Sequence, residues 1–173
     1  ILTALDAALN GFDQKDILRY LRSALSPLDP DTCDMVENYA VLWGIRGKRW
    51  LTEWEFHPSG LGEIWDDNAH SRLSRLNHAR ETVMVPLAAL QNEFRKATNL
   101  RQQISALYQF LEAIHLGEKL SRMAEEMDAS GDHQSAQVLN QLWEILLSAL
   151  EQLYDVLGET TWEADHFVRL FRL

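Results

Sequence analysis

From residue 133 to residue 157 the chain reads HQSAQVLNQLWEILLSALEQLYDVL, and this stretch decides the fold class. Val138, Leu142, Ile145, Ala149, Leu153 and Val156 fall on one stripe at helical periodicity, with Gln141, Glu144, Ser148, Glu151 and Asp155 opposite. That is the pattern of a bundle helix. Gly158 ends it, and Thr160 with Glu163 forms a capping box for a last helix.

Outward from this segment the chain reads as helix nearly throughout. Asp13 caps a short helix through Leu25, ended by Ser26-Pro27. Asp29-Pro30-Asp31 starts the next, with proline suited to a first turn and both acids matched to the positive helix end, and Gly44 stops it. A long segment from Asn68 to Ala97 contains Pro86, which is expected to kink or split it. Thr98 or Asn99 opens a helix ending near Gly117, and another runs to Gly131. The fold class is therefore all-α, a multi-helix bundle, with residues 1–173 forming a single helical domain.

The exception lies between Arg46 and Gly62. Trp50, Thr52, Trp54 and Phe56 alternate with Leu51, Glu53 and Glu55, the period of a half-buried strand, before the Pro58-Ser59-Gly60 turn. A short extended or ribbon excursion is expected over 46–62. Two readings of its residues stand side by side. In one, Trp50, Trp54 and Trp65 cover the ends of the bundle, as tryptophans bury large areas wherever they pack. In the other, Arg46, Lys48, Arg49 and Trp54 form a basic and aromatic platform that touches DNA by phosphate contacts and base stacking.

With 173 residues, 46% hydrophobic and 24% charged, the chain can build a sizeable core. Its apolar runs are too short to span a bilayer, and no secretory leader is seen. One cysteine, Cys33, precludes an internal disulfide and fits a reducing, cytoplasmic setting. The chain opens at Ile1 without methionine, and its end has a helical pattern with no stop signal, so an excised domain is expected. A formal net charge of -10 argues at first against nucleic acid, but the average hides an asymmetry. Residues 118–165 hold eleven acids and two bases, whereas residues 46–101 hold nine bases against seven acids. Any polyanion contact belongs to the middle third, and the acidic C-terminal half faces solvent or a basic partner.

Searches for catalytic chemistry return little. Gly44-Ile45-Arg46-Gly47-Lys48 lacks the spacing of a phosphate-binding loop, and Arg49 stands where its Ser or Thr would be. The same run spells the GxxG of an RNA-clamping KH loop, but that fold needs a sheet this chain does not supply. The six histidines show no HExxH pair, and Cys33 alone makes no zinc or iron-sulfur site, so no metal or cofactor ligands are assigned. Asp66-Asp67 and Glu125-Glu126 are adjacent carboxylates, which on helices point apart and are usually solvated. No catalytic residue is assigned. Arg72, Arg75 and Arg80 flank an apolar stripe, where snorkelling over the core edge competes with extension of the basic patch, and Arg95, Lys96 and Arg101 are read with the same caution.

The run Glu37 to Trp50, ENYAVLWGIRGKRW, carries a resemblance. It resembles a segment of the B subunit of the ATP-dependent helicase/deoxyribonucleases (the AddB type), in which Glu-Asn-Tyr precedes Gly-Ile-x-Gly and a basic-Trp step. Here those positions are Glu37, Asn38, Tyr39, Gly44, Ile45, Gly47, Arg49 and Trp50. Leu9-Asn10-Gly11-Phe12 with Ile17 to Leu21 lies upstream, and Leu107 to Glu112, Glu118-Lys119-Leu120 and Gln141-Leu142-Trp143 lie downstream, in the family's order. The likeness covers most of the chain, although none of these runs is a catalytic motif.

The resemblance implies a non-catalytic accessory domain, similar to the 2B domain of superfamily 1 helicases, that helps to hold duplex or forked DNA at an unwinding junction. It implies a partner A subunit with motor activity, and a parent complex that resects double-strand breaks for recombinational repair using ATP, magnesium and an iron-sulfur cluster. The cysteines of that cluster are not in this sequence. Two other readings remain: a purely protein-contacting module that never touches DNA, and an independent helical enzyme with a carboxylate site.

Overall fold

The computed structural model describes residues 1–172, and among them there are eight α-helices and no strand. The described residues divide into two compact units, one of Ile1–Gln91 with Phe171 and Arg172, the other of Asn92–Leu170.

In the first unit, α1 (Leu2–Leu9) packs on α2 (Gln14–Leu21), and α2 on α3 (Pro30–Leu42). Helix α1 was not expected from the sequence; its Ala4, Ala7 and Ala8 are fully buried, small residues that allow close helix approach. Asp13 and Asp29 cap α2 and α3 as expected, each accepting a backbone N–H of the first turn, and Pro30 is the first residue of α3. Helix α2 stops at Leu21 rather than Leu25, because the Ser23 hydroxyl donates to the Tyr20 carbonyl at 2.7 Å and turns the chain. Helix α4 (Asp67–Lys96) is one helix with Pro86 inside it, not two. Asp66 accepts the Ala69 amide at 2.7 Å at its start. Arg172 returns to Asp6 at 3.1 Å within this unit.

The second unit contains α5 (Leu100–Ala113), α6 (Leu116–Ala129), α7 (His133–Leu157) and α8 (Ala164–Leu170). The α6–α7 hairpin is its most extensive helix pair. Gly117 lies flat against it, where an added Cβ would stand 3.2 Å from the Trp143 indole. The first amides of α5 donate to carbonyls beyond α7, Leu100 to Thr160 and Arg101 to Gly158, both at 2.9 Å. Thr160 is thereby used as an acceptor for α5, and α8 starts one turn later than the expected capping box, at Ala164 with Glu163 accepting. Phe167 is buried edge-on to Phe94 at 5.1 Å.

One sequence expectation is reversed in α7. Of the stripe Val138, Leu142, Ile145, Ala149, Leu153 and Val156, Leu153 is half-buried and the other five are exposed, and the helix packs instead through Ala136 and Leu150, with Trp143, Leu146 and Leu147 half-buried. The apolar arc of α7 is wide enough to offer two faces, and the neighbouring helices take only one.

Capping gives this unit an acid-sensitive joint. Asp132 accepts the Ser135 amide, and its carboxyl is held below the ordinary 3.8 by that Ser135 hydrogen bonding. A lowered folded pKa contributes stability that is present above 3.8 and lost as pH falls through the folded value. Asp132→Asn keeps a capping acceptor without a titrating group, so the acid limb of urea midpoint against pH is expected to flatten while the neutral-pH midpoint holds. An unchanged acid limb would remove Asp132 as its source.

Candidate nucleic-acid interface

The cationic run Arg46–Arg49 is built by the end of α3. Gly44 sits at φ 56, Ile45 N–H returns to Ala40 O at 2.8 Å and Gly44 N–H to Val41 O at 3.3 Å, the paired bonds of a Schellman stop. Ile45 is then buried, and the chain enters a 3₁₀ turn, Gly47–Trp50. Gly47, at φ 58, donates its N–H to Phe12 O at 2.9 Å. Two stretches that carried the resemblance, Leu9 to Phe12 and Glu37 to Trp50, thus meet in space. The glycines serve this chain reversal, and the Ile45 and Gly47 amides are spent on Ala40 O and Phe12 O.

Behind the turn lies an aromatic block. Trp50 is fully buried. Trp54 is 3% exposed, with Tyr39 stacked on it at 4.6 Å and Trp50 tilted against it at 5.5 Å. Its indole N–H donates to Arg49 O at 3.1 Å. Trp54 therefore has no face free for a base, and packing is the reading its geometry carries. Trp43 stacks on Phe56 at 4.6 Å and donates to His57 O. Trp65 is packed between His57 and His70 at 4.7 and 4.8 Å, and stays 41% exposed.

The excursion over 46–62 is not a strand. Trp50 and Trp54 point inward as the alternation predicts, but Thr52 and Phe56 are exposed. In place of a neighbouring strand, side chains satisfy its backbone. The Asn77 carboxamide accepts the Trp54 N–H and donates to the Trp54 carbonyl, both at 2.8 Å. The Tyr39 hydroxyl does the same for Phe56, at 3.1 Å each way. Burial raises the Tyr39 phenol above its ordinary value, against the opposing effects of the Phe56 backbone bond and Arg49, so it stays neutral and can donate.

The cations divide by what they touch. Arg49 is exposed, but its guanidinium donates to Trp43 O at 3.0 Å and stands 5.4 Å over the Phe56 ring, tying the α3 terminus to the excursion. Arg46 and Lys48 are exposed, and neither has an ion-pair partner among the described residues. Arg72 reaches Ser59, and Arg75 is exposed on α4. Arg80 departs from the snorkelling expectation: it is 5% exposed, and donates to Trp50 O at 3.3 Å and Asn77 at 3.2 Å. In the second unit Lys96 pairs with Glu93 and Arg101 with Glu159. Asn77, which holds the excursion with Arg80, carried no signal in the sequence, since a polar residue on a helix is ordinarily solvated.

Donor chemistry does not fit an iron-sulfur cluster, which needs several thiolates. Cys33 is buried with its Sγ 3.3 Å from Leu21 O. Among the described residues no three His, Cys, Asp or Glu side chains gather as a metal site, and no helix is long and apolar enough to cross a membrane.

No family model matches the chain. Curated relatives do match, over its whole length. It is similar to the ATP-dependent helicase/deoxyribonuclease B subunit of Caldanaerobacter subterraneus subsp. tengcongensis, at 26% identity over 100% of this chain and 15% of the relative. The corresponding protein of Clostridium botulinum (strain Langeland) is 28% identical over 99% of the chain, and that of Acetivibrio thermocellus 29% identical over 100%, again with 15% of each relative covered. The chain thus spans about 15% of the length of the curated relatives it matches.

Proposed function

We propose that this chain is a non-catalytic accessory segment of an ATP-dependent helicase/exonuclease subunit that acts in DNA double-strand break resection and recombinational repair. In this reading it steadies duplex or forked DNA while an A subunit supplies the motor. ATP, magnesium and the iron-sulfur cluster belong to other parts of the parent complex, and the setting is cytoplasmic. The observation that carries the reading is the turn at 46–49, where two exposed cations without ion-pair partners among the described residues stand on a glycine-closed, aromatic-backed base. Such cations bind phosphate, not sequence.

The test is a titration of the assembled helicase/nuclease with forked DNA over a range of salt. Arg46→Gln with Lys48→Gln is expected to weaken binding and to flatten the log–log salt dependence by about 1.8, roughly 0.9 for each phosphate lost. Arg49 is left intact, because its replacement also unties α3 from the excursion. Unchanged affinity and slope would remove the DNA contact and leave the second reading, a protein-contacting scaffold, which the exposed apolar face of α7 favours.

A further inference from the structure

We propose that the groove between α5 and α7 docks a short segment of the same, longer polypeptide, one from outside residues 1–173 that carries an apolar anchor with Lys or Arg within a turn of it. This rests on the chain being a segment of a longer subunit, and not on DNA binding. The groove has a volume of about 480 Å³. Ile104 and Leu150 form its floor, each 4% exposed, with Leu147 and Tyr154 half-buried and Tyr108 exposed around them. An apolar floor with a few polar groups beside it is the ordinary make-up of a binding groove.

Charge on the groove itself selects the occupant. Glu151 lines it, is exposed and has no ion-pair partner among the described residues. Glu144 and Asp155 stand two turns before and one turn after Glu151 on the same face of α7, and Glu112 one turn after Tyr108 on α5. Helix α7 has no Lys or Arg, and Arg101, the cation of α5, is spent on Glu159 at 2.8 Å and on the Tyr154 ring at 4.7 Å. An acid beside two tyrosine rings and an apolar floor takes an apolar anchor followed by a cation, held by ion pairing and by cation–π contact. Area sets the source. From Leu147 to Tyr154 the groove runs about 10 Å, so a helix about 10 Å wide covers roughly 100 Å² of it. Association of two free proteins takes about 800 Å² per partner, whereas a linked segment is presented at roughly millimolar effective concentration. The relatives of which this chain matches 15% have the further length to supply one.

The test places the photocrosslinker p-benzoylphenylalanine at Gln109, an exposed lining residue, in the full-length protein and identifies the captured peptide by mass spectrometry. The expected capture is one segment from outside residues 1–173, with an apolar residue and a Lys or Arg within a helical turn of each other. Its yield should fall at least tenfold with Glu151→Lys, and likewise with Tyr108→Ala. Glu126→Lys makes the same charge change on α6, outside the groove, and should leave the yield within a factor of two. All three side chains are exposed, so the circular dichroism spectrum should not change. Capture of a separate protein, capture of peptides from residues 1–173 alone, or an equal loss with Glu126→Lys would each overturn the docking. An intact mass no greater than the 19.9 kDa of this chain would instead overturn the longer polypeptide on which it rests. The DNA titration, which reads Arg46 and Lys48, is unaffected by either.

Discussion

Replacing Trp54 by alanine is expected to destabilise the first unit by about 3–5 kcal/mol, the range for removing a large buried aromatic side chain. Trp54 is 3% exposed, stacks on Tyr39 at 4.6 Å and bonds Arg49 O through its indole N–H. Alanine leaves a cavity between Tyr39 and Trp50 and an acceptor without its donor. Urea denaturation followed by far-UV circular dichroism measures the loss. The companion variant separates packing from nucleic-acid contact. Trp54→Phe retains a ring against Tyr39 and loses only the N–H bond and some volume, so it should be milder. DNA affinity of the folded Trp54→Phe protein should stay within a factor of two of the parent. A tenfold or greater loss of affinity in that variant would return Trp54 to the binding surface and contradict its burial.

The second large effect falls on Arg80. Its guanidinium is buried beneath the excursion, donating to the Trp50 carbonyl and to Asn77, which in turn holds both backbone groups of Trp54. Arg80→Met fills much of the same volume without the donors, and a buried acceptor left unpaired costs about 1–3 kcal/mol, more where the lost donor was charged. A loss of about 2–4 kcal/mol is expected. Because Arg80 and Asn77 share one network, Arg80→Met with Asn77→Ala should cost less than the sum of the two single replacements, by at least about 0.5 kcal/mol. Strict additivity would show that the two side chains act on the excursion separately.

These two residues also show where sequence reasoning stops. Arg80 was legible as an arginine beside an apolar stripe, and snorkelling is the ordinary state of such a residue. Its burial depends on the carbonyl of Trp50, thirty residues away in the chain, arriving above it. The same holds for Trp54: alternation set its inward direction, but its stacking on Tyr39 comes from α3 ending where it does. Arg46 and Lys48 were legible as cations, and that neither has an ion-pair partner among the described residues is a property of the folded turn.

The sequence by itself determined most of the helices and several of their ends. Asp13, Asp29, Asn99 and Asp132 each accept a first-turn amide, and Gly44 reverses the chain after α3, because capping and positive φ are decided within a few residues. Tertiary structure alone decided which face of α7 is covered, why the 46–62 excursion has side chains in place of a strand partner, and that the chain packs as two units. The physical reason is that helical periodicity states which residues can share an interface, whereas burial depends on which neighbour arrives, and an apolar arc wider than one interface leaves that choice to the rest of the fold.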